Sequence, residues 1–489
     1  MISPIYRARR RPLLAPASLD PLALAVTDLL GPVYAKLALK LDSVSFVKSE
    51  TLVSALRDFY EGRARLILAF RHPYGDEPQL LTMALRRGIG PVAREAGSPL
   101  PRRPHCLFLH GYEVPLWSGP LVRWILPRTG AMPVYHVRMD RAGLKRIRAA
   151  LREGAHPIAL APEGQSSYRS ETVPRLEKGS FQLAFWCAEE LEAASRPEKV
   201  LVLPISFHES HDDRDLPALE KACTSLEKSL GSLYMAVESL GATDQLGVAH
   251  PTDAPARHDV AESGRGGREG DGASHERRRA LGIRLRALDL GLLAAAEAYY
   301  GLVPSSGTSR ETRRFRLFEE ALRRGEAMLG IGAEGDGIDR VYRLRHEGWN
   351  RVFPESDPRL LPPGLRAVAD RRAGEAWYAM RHMELVDLVY YLDAAYLEDQ
   401  LLDGGAPSVG RLSETLHNLY DFAQRLAGGN ISGRPRLLRR RLVEGVGEPL
   451  EIRSRLSEYR EDRRAALERA ESELAAAWRL SIKEILDEK

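Results

Sequence analysis

Short apolar runs alternate with stretches of helical periodicity between residues 60 and 210. The runs are six to nine residues long and rich in aliphatic side chains, which is typical of buried strands. They lie at residues 64–70, 105–110, 132–137, 156–161 and 199–207. Helical periodicity is found at residues 77–87, 141–154 and 178–194. Strands that alternate with helices predict an α/β domain whose mainly parallel sheet is flanked by helices.

The pattern changes after residue 249. Residues 250–279 are rich in Gly, Pro, Asp and Arg and predict a flexible linker. Residues 280–489 show helical periodicity without strand-like runs, which predicts a mostly α-helical C-terminal domain of unknown role. Steps of three and four near the C-terminus give an apolar stripe formed by Ile452, Leu456, Tyr459, Leu467, Ala470, Leu474, Ser481 and Ile485. We expect this stripe to belong to a helical bundle, with an oligomerisation seam as the alternative.

Composition narrows the possible functions. A net charge of +4 is small for 489 residues and does not indicate a nucleic-acid binder. Two arginine clusters, at residues 7–12 and 434–441, predict either solvated surfaces or attraction to anionic lipid. The spacing of Cys106, Cys187 and Cys223 indicates neither disulfides nor a zinc site, which favours a reducing compartment.

The N-terminal residues 1–41 begin with a basic segment and continue with apolar residues. Because Asp20, Asp28 and Lys36 interrupt the apolar stretch, we expect an amphipathic helix rather than a signal peptide. No uninterrupted apolar stretch reaches the roughly 18 residues that span a bilayer. We therefore expect a cytoplasmic protein that associates peripherally with the inner face of the membrane. Residues 114–127 combine tryptophans with leucines, which suits an interfacial segment and a core helix alike.

The stretch "RHPYGDE", residues 71–77, follows the first predicted strand. Open α/β sheets form their sites at such strand ends, although a polar structural turn is the simpler interpretation. Asp76 is suited to cap the following helix, which would leave Glu77 to accept the imidazole proton of His72. The other imidazole nitrogen could then act as a general base. Either Glu77 or Asp76 is the expected carboxylate partner.

Three further stretches follow in order. "ALAPEGQSSYRS", residues 159–170, is a Pro-Glu-Gly turn directly after a strand. "GAMPVYHVRMDR" ends a strand with Arg138 and Arg141, and "RLEKGSFQLA" places Lys178 at the start of a helix. Free amides at a helix N-terminus favour an anion, so this last position suits an anionic group.

The order and spacing of these stretches resemble the glycerophospholipid acyltransferase family over residues 40–240. That family includes the lysophosphatidic acid and glycerol-3-phosphate acyltransferases. The chain departs from the family pattern at several positions. Arg71 stands where the family has Asn, and Glu77 stands where it has Asp. Gln165 and Ser166 replace the Thr and Arg that usually follow Pro-Glu-Gly.

The resemblance implies a peripheral membrane O-acyltransferase that needs no metal or cofactor. His72, oriented by Glu77 or Asp76, would remove the proton from an acceptor hydroxyl. The resulting oxygen would attack the thioester carbonyl of an acyl-CoA or acyl carrier protein, and no acyl-enzyme would form. The acceptor would be a lysophospholipid or a glycerol phosphate.

The resemblance also implies how the acceptor is held. Glu163, Gly164 and Gln165 would contact its polar head, while Arg138 and Lys178 would neutralise its phosphate. Arg141 is an alternative to Arg138. The cations that could replace the family's missing arginine are Arg169, Arg175 and Lys178.

Two other functions stay open. A catalytically weak acyltransferase-like domain could bind lipid or acyl carrier protein, with the helical half as a scaffold for partners. A nucleic-acid binder would rest on the arginine clusters alone.

Overall fold

The computed structural model describes residues 5–12, 17–135, 140–177, 179–238, 269–303, 307–391, 395–429 and 436–487. The chain forms two compact units. The first, called here the α/β unit, comprises Leu13–Ser210 and Arg439–Lys489. The second, called the helical unit, comprises Met1–Pro12 and His211–Leu438.

One mixed sheet organises the α/β unit. Its strands are β1 Leu41–Val47, β2 Ala64–Phe70, β3 Leu107–Gly111, β4 Met132–Val134, β5 Ile158–Leu160, β6 Lys199–Glu209, β7 Arg440–Val446 and β8 Leu450–Glu451. The spatial order is β1-β7-β6-β2-β5-β3-β4, and β8 pairs with β6. Strands β6, β2, β5, β3 and β4 are parallel, whereas β7 and β8 run antiparallel to β6. The predicted α/β architecture with a mostly parallel sheet is therefore confirmed.

Helices cover both faces of this sheet. They are α1 Pro21–Leu37, α2 Ser49–Tyr60, α3 Glu77–Met83, α4 Ile89–Glu95, α5 Val114–Trp117, α6 Pro120–Arg128, α7 Arg141–Glu153, α8 Gly179–Ala193, α16 Leu456–Glu461 and α17 Arg463–Asp487. A π-helical turn, Ala84–Gly88, joins α3 to α4. All seven residues of β2 are buried, as expected for a central strand of a sheet covered on both faces. Alternate residues of β2 contribute to two hydrophobic cores, with Leu66 and Leu68 in one and Ile67 and Ala69 in the other.

Three strands, β1, β7 and β8, lie where the sequence predicts none. Residues 280–489 are helical for most of their described length, as predicted, but β7 and β8 fall within them, where the sequence shows no strand-like runs. The sequence of β7, "RRLVEGV", begins with two arginines and contains a glutamate, which conceals its strand character. Its pairing with β1 and β6 provides the hydrogen bonds and the burial that the sequence pattern does not predict. Strand β1, "LDSVSFV", is also absent from the predicted elements.

The apolar stripe near the C-terminus belongs to neither a bundle nor an oligomer seam. Helix α17 packs on β6 and β7 of the sheet and on α8. Leu474, Ile485 and the large side chain of Trp478 are buried in the second hydrophobic core or against the sheet. The stripe follows helical periodicity because α17 covers the sheet, and periodicity alone does not distinguish a sheet from another helix as the partner.

The helical unit contains α9 Leu216–Glu238, α10 Glu269–Tyr300, α11 Arg310–Leu329, α12 Gly337–Val352, α13 Pro363–Tyr391, α14 Ala395–Leu401 and α15 Val409–Leu426. Helix α13 packs on α11, α12 and α15, and α10 packs on α9 and α15. The predicted linker, residues 250–279, is only partly described, and its last residues from 269 onward form the start of α10. That part of the linker prediction is wrong.

The unit boundaries also differ from the predicted domains. The predicted division places residues 1–249 in one domain and residues 280–489 in another. In the structure the α/β unit ends its first segment at Ser210 and resumes at Arg439, because β7, β8 and α17 complete the sheet and its cover. A pairing between strands so distant in sequence leaves no local signal in the pattern of residues.

Candidate active site

Two loops meet at the carboxyl edge of the sheet. Because β2 and β5 are adjacent and parallel, the loops that follow them leave the sheet on the same side. The Ser167 amide donates a hydrogen bond of 2.9 Å to the His72 carbonyl. Gly75 lies close to the hydroxyl of Ser166, within 3.6 Å of the position that a Cβ atom would take. The stretches "HPYGDE" and "PEGQSS" therefore form one site, as strand ends of an open α/β sheet do.

His72 and Glu77 form a hydrogen-bonded pair. Nδ1 of His72 lies 2.5 Å from Oε2 of Glu77, whose side chain is fully buried. An ionised carboxylate only accepts hydrogen bonds, so Nδ1 carries the proton and Nε2 is left as the basic nitrogen. Between the two candidate partners of His72, the geometry selects Glu77.

The backbone of the turn fixes the Glu77 carboxylate. The Gly75 amide donates to Oε2 at 3.0 Å, and the Tyr74 amide donates to Oε1. Gly75 has φ of +89°, a left-handed conformation that glycine adopts without a steric penalty. This conformation turns the chain so that both amides face the carboxylate at the start of α3.

The charge of Glu77 also tunes the imidazole. Burial disfavours the protonated form of His72, but the Glu77 carboxylate outweighs burial by charge and hydrogen bonding. The net effect raises the pKa of His72 above its ordinary value. A more basic Nε2 accepts a proton from an alcohol more readily.

Nε2 of His72 is available to a substrate. Within the described part of the chain, this nitrogen makes no hydrogen bond, and the His72 side chain is 20% exposed. The ring of Phe70 meets the imidazole edge-on at a centroid distance of 6.0 Å, which limits its rotation. A proton acceptor that is oriented, partly exposed and unoccupied is what general-base catalysis requires.

Asp76 is bound by an arginine from the distant strand β7. The Arg440 guanidinium lies 2.5 Å from Oδ2 and 3.1 Å from Oδ1 of Asp76, and both side chains are about 5% exposed or less. Asp76 precedes α3 at the N-cap position, but its side chain makes no capping hydrogen bond, so the expected cap is wrong. Burial disfavours the charge of Arg440, but Glu209 and Asp76 outweigh it and raise the pKa of Arg440. The sequence gives no signal of this contact because 364 residues separate the two side chains.

Arg71 and Glu163 link the two loops. Nε of Arg71 donates to Oε1 of Glu163 at 2.5 Å, and the His72 amide donates to the same oxygen at 3.1 Å. Both side chains are 1% exposed. The other guanidinium nitrogens of Arg71 donate to the carbonyls of Arg169, Ser170 and Thr172. Arg71, which directly precedes His72, therefore ties the loop after β2 to the loop after β5.

The structure describes some of the predicted acceptor-binding residues but not all of them. The Glu163 carboxylate is engaged by Arg71 and the His72 backbone, which gives it a positioning role; acceptor binding by Glu163 stays a prediction. Gly164 has φ of +72° in the same turn, and Gln165 follows it half-buried. Arg138 and Lys178 lie outside the described residues. Arg141, the alternative to Arg138, is exposed in the first turn of α7.

The cysteines of the described ranges provide no thiolate nucleophile. Cys106, Cys187 and Cys223 are all buried and free. Burial raises the pKa of Cys187 and of Cys223 to about 12 and the pKa of Cys106 well above its usual value, so all three stay protonated near neutral pH. No group of three or more His, Cys, Asp or Glu side chains in the described ranges is arranged to hold a metal ion.

Comparisons with known proteins were made at the levels of family, sequence and structure. No protein-family model, curated protein or solved structure matches the chain. The resemblance to glycerophospholipid acyltransferases therefore rests on the residues of the site alone.

Proposed function

We propose that this protein is an O-acyltransferase that moves a fatty acyl group from a thioester to the hydroxyl of a lysophospholipid or glycerol phosphate. The observation that carries the proposal is the pair of His72 and Glu77 at the carboxyl edge of the sheet, with a protonated Nδ1 and with an Nε2 that makes no hydrogen bond to any described residue. The Pro-Glu-Gly turn lies beside this pair, since the Ser167 amide that follows the turn donates to the His72 carbonyl, and this proximity supports the proposal. The fold proposed for the α/β unit is accordingly that of the glycerolipid acyltransferases.

In the proposed reaction, Nε2 of His72 takes the proton of the acceptor hydroxyl as its oxygen attacks the thioester carbonyl. The new C–O bond forms, the C–S bond breaks, and the thiolate leaves with the proton from the imidazolium. Glu77 stabilises the imidazolium between these two steps. The donor is an acyl-CoA or an acyl carrier protein, and the chemistry uses no metal or cofactor.

A lipid surface is the proposed partner, and two helices of the α/β unit support it. Helix α1 exposes large apolar side chains along one face, with Leu22, Leu29 and Leu37 each more than 70% exposed. Helix α6 exposes Leu121 and Trp124. Exposed apolar patches of this kind mark interaction surfaces or membrane surfaces. In the ranges that the structure describes, none of the helices is long and apolar enough to cross a bilayer.

The test is release of free thiol from a long-chain acyl-CoA, with lysophosphatidic acid or glycerol 3-phosphate as the acceptor. We expect acceptor-dependent release that His72→Ala reduces by roughly a hundredfold or more, because general-base catalysis contributes about 10²- to 10⁴-fold. His275→Ala is the matched control, since His275 is exposed on α10 of the helical unit. Equal background release from all three proteins, with acyl carrier protein donors also tried, would favour the lipid-binding scaffold instead.

A further inference from the structure

The helical unit contains a cleft of about 640 Å³ that is lined mainly by arginines. They are Arg7, Arg9, Arg10, Arg359 and Arg366. The first three belong to the N-terminal arginine cluster, and the last lies in the first turn of α13. Guanidinium groups that face one cleft repel one another unless counter-charges are present, so such a cleft favours an anion.

The N-terminal segment that carries three of these arginines is fixed to the helical unit. Ile5 is 4% exposed, and the Arg9 amide donates to the Val352 carbonyl at 2.8 Å. The Ala8 amide donates to Oδ1 of Asp370 at 2.9 Å. Backbone hydrogen bonds at Ala8 and Arg9, within the arginine cluster, hold the segment, so the cleft is part of the fold of this unit.

The carboxylates near the cleft do not balance its arginines. Asp357 lies 2.7 Å from Arg359 and 3.9 Å from Arg10. The other three arginines of the cleft have no ion pair or side-chain hydrogen bond among the described residues. Two further acids are nearby, but Glu355 pairs with Arg11 at 3.7 Å and Asp370 accepts the backbone amide of Ala8. With Arg11 included, six arginines face three carboxylates.

Apolar side chains adjoin the arginines in sequence and stand in solvent. Leu360 follows Arg359 and is 83% exposed, and Leu365 precedes Arg366 and is 59% exposed. Val368, one turn into α13, is 53% exposed. A soluble phosphate or a nucleic-acid backbone gains nothing from exposed leucines. A bilayer surface offers anionic phosphates and apolar chains together, and it takes up leucines beside basic residues.

We propose that the arginine cleft binds the phosphate headgroups of an anionic phospholipid bilayer, while Leu360 and Leu365, each next in sequence to a cleft arginine, insert between the lipids. The proposal gives a role to the N-terminal arginine cluster, which the acyl-transfer site does not use. It is independent of that site, because binding here requires no residue of the α/β unit. His72→Ala should therefore bind vesicles as the unchanged protein does.

The experiment is sedimentation of the full chain with phosphatidylcholine vesicles, with and without phosphatidylglycerol. We expect at least tenfold tighter binding to the vesicles that contain phosphatidylglycerol. The triple variant Arg7→Gln, Arg9→Gln and Arg366→Gln should lose roughly fivefold in affinity per arginine, on the order of a hundredfold in total. Leu360→Ser with Leu365→Ser should weaken binding by about tenfold, most clearly at high salt.

A matched control removes the same charge elsewhere on the helical unit. Arg277, Arg316 and Arg323 are exposed, and their replacement by Gln should leave vesicle binding unchanged. Equal loss in both triple variants would overturn the proposal, since binding would then follow net charge alone. Equal sedimentation of the wild-type chain with vesicles that contain phosphatidylglycerol and with vesicles that lack it would overturn the proposal as well.

Two further arms distinguish the ligand. Inorganic phosphate or glycerol 3-phosphate at millimolar concentration should not displace the protein from vesicles. Full displacement, together with wild-type binding by the leucine variant, would assign the cleft to a soluble phosphate and overturn the lipid proposal. Duplex DNA should bind weakly at physiological salt. Tight DNA binding that the cleft variant loses would assign the cleft to nucleic acid.

Discussion

Arg440 binds Asp76 with both ends of its guanidinium, and this ion pair removes Asp76 from competition for His72. The neighbouring Glu77 is left to accept the hydrogen bond from Nδ1. Two adjacent carboxylates thus have different tasks, one in holding β7 to the turn and one in orienting the histidine. The division of tasks can be tested separately in catalysis and in stability.

Glu77→Gln should reduce turnover and change its pH dependence. A glutamine can still accept the Nδ1 hydrogen bond, but the charge that raises the pKa of His72 is lost. The base must be unprotonated to act, so the acidic limb of the rate profile should move to lower pH, while kcat falls by roughly a hundredfold. Asp76→Asn is the matched control. A shifted acidic limb in Asp76→Asn and not in Glu77→Gln would contradict the assignment.

Arg440→Met should destabilise the α/β unit. It leaves Asp76 and Glu209 buried beside an apolar side chain, and breaking a buried ion pair from one side costs about 3 kcal/mol or more. Hydrogen exchange of the β6 and β7 amides reports this loss. Arg439→Gln is the control, because Arg439 pairs with Asp42 at the surface, where such a pair contributes about 1 kcal/mol or less. Equal exchange in the two variants would refute the role of Arg440.

Long apolar runs made the centre of the sheet predictable. Strands β2 and β6 are covered on both faces, so their sequences are almost uninterrupted aliphatic residues. The helices α7 and α8 follow from periodicity in the same way. Strand β7 could not be found because its identity depends on partners that come from elsewhere in the chain. Its glutamate and leading arginines look like surface residues until β1 and β6 bury them.

The site was predictable to the same extent. His72, Glu77 and the Pro-Glu-Gly turn are local motifs at strand ends, and the structure brings them together. Which carboxylate orients His72 was not predictable, because Arg440 decides it from a distance. Arg71 was visible as a departure from the family pattern, but its link to Glu163 requires the two loops to be adjacent in space.

Glu163→Gln distinguishes positioning from acceptor binding. If Glu163 acts through Arg71 and the His72 backbone, the variant should lower kcat by about tenfold or more, because small shifts of a catalytic group are costly. The KM for the acceptor should then stay within about twofold of the wild-type value, because the contacts that bind the acceptor in both the ground state and the transition state are unchanged. A raised KM with unchanged kcat would assign Glu163 to the acceptor instead. Gln165→Ala is a control in the same loop, because its predicted role is acceptor binding alone.

Glu444 should make stability depend on pH. This β7 carboxylate is fully buried, and neither of its oxygens has a hydrogen-bond partner among the residues that the structure describes. Burial raises the pKa of Glu444 from about 4.5 to about 8. The folded state therefore holds the proton more tightly than the unfolded state, and the wild type loses stability as pH rises from about 4.5 to about 8.

Glu444→Gln removes this titration while it keeps the size and polarity of the side chain. The variant should match the wild type near pH 5 and exceed it near pH 8 by a few kcal/mol, because the wild type must by then bury a charge or hold a proton that the solvent favours removing. Unfolding midpoints at the two pH values measure the difference between the proteins, in which the titration of other groups cancels. An advantage for the variant that is equal at both pH values would show that Glu444 does not titrate in this range.

The exposed face of α1 predicts a loss of lipid binding without a loss of stability. Leu29 and Leu37 are each 73% exposed, so replacing them with serine removes no buried contact and should leave the melting temperature unchanged. Binding to phosphatidylcholine vesicles should fall by roughly tenfold, because two apolar side chains no longer enter the interface. Leu480→Ser is the control, since Leu480 is 54% exposed on α17 of the same unit. If the leucines of α1 have no role in docking, the wild type, the α1 variant and Leu480→Ser should bind vesicles equally. If α1 is a docking face, only the α1 variant should lose vesicle binding.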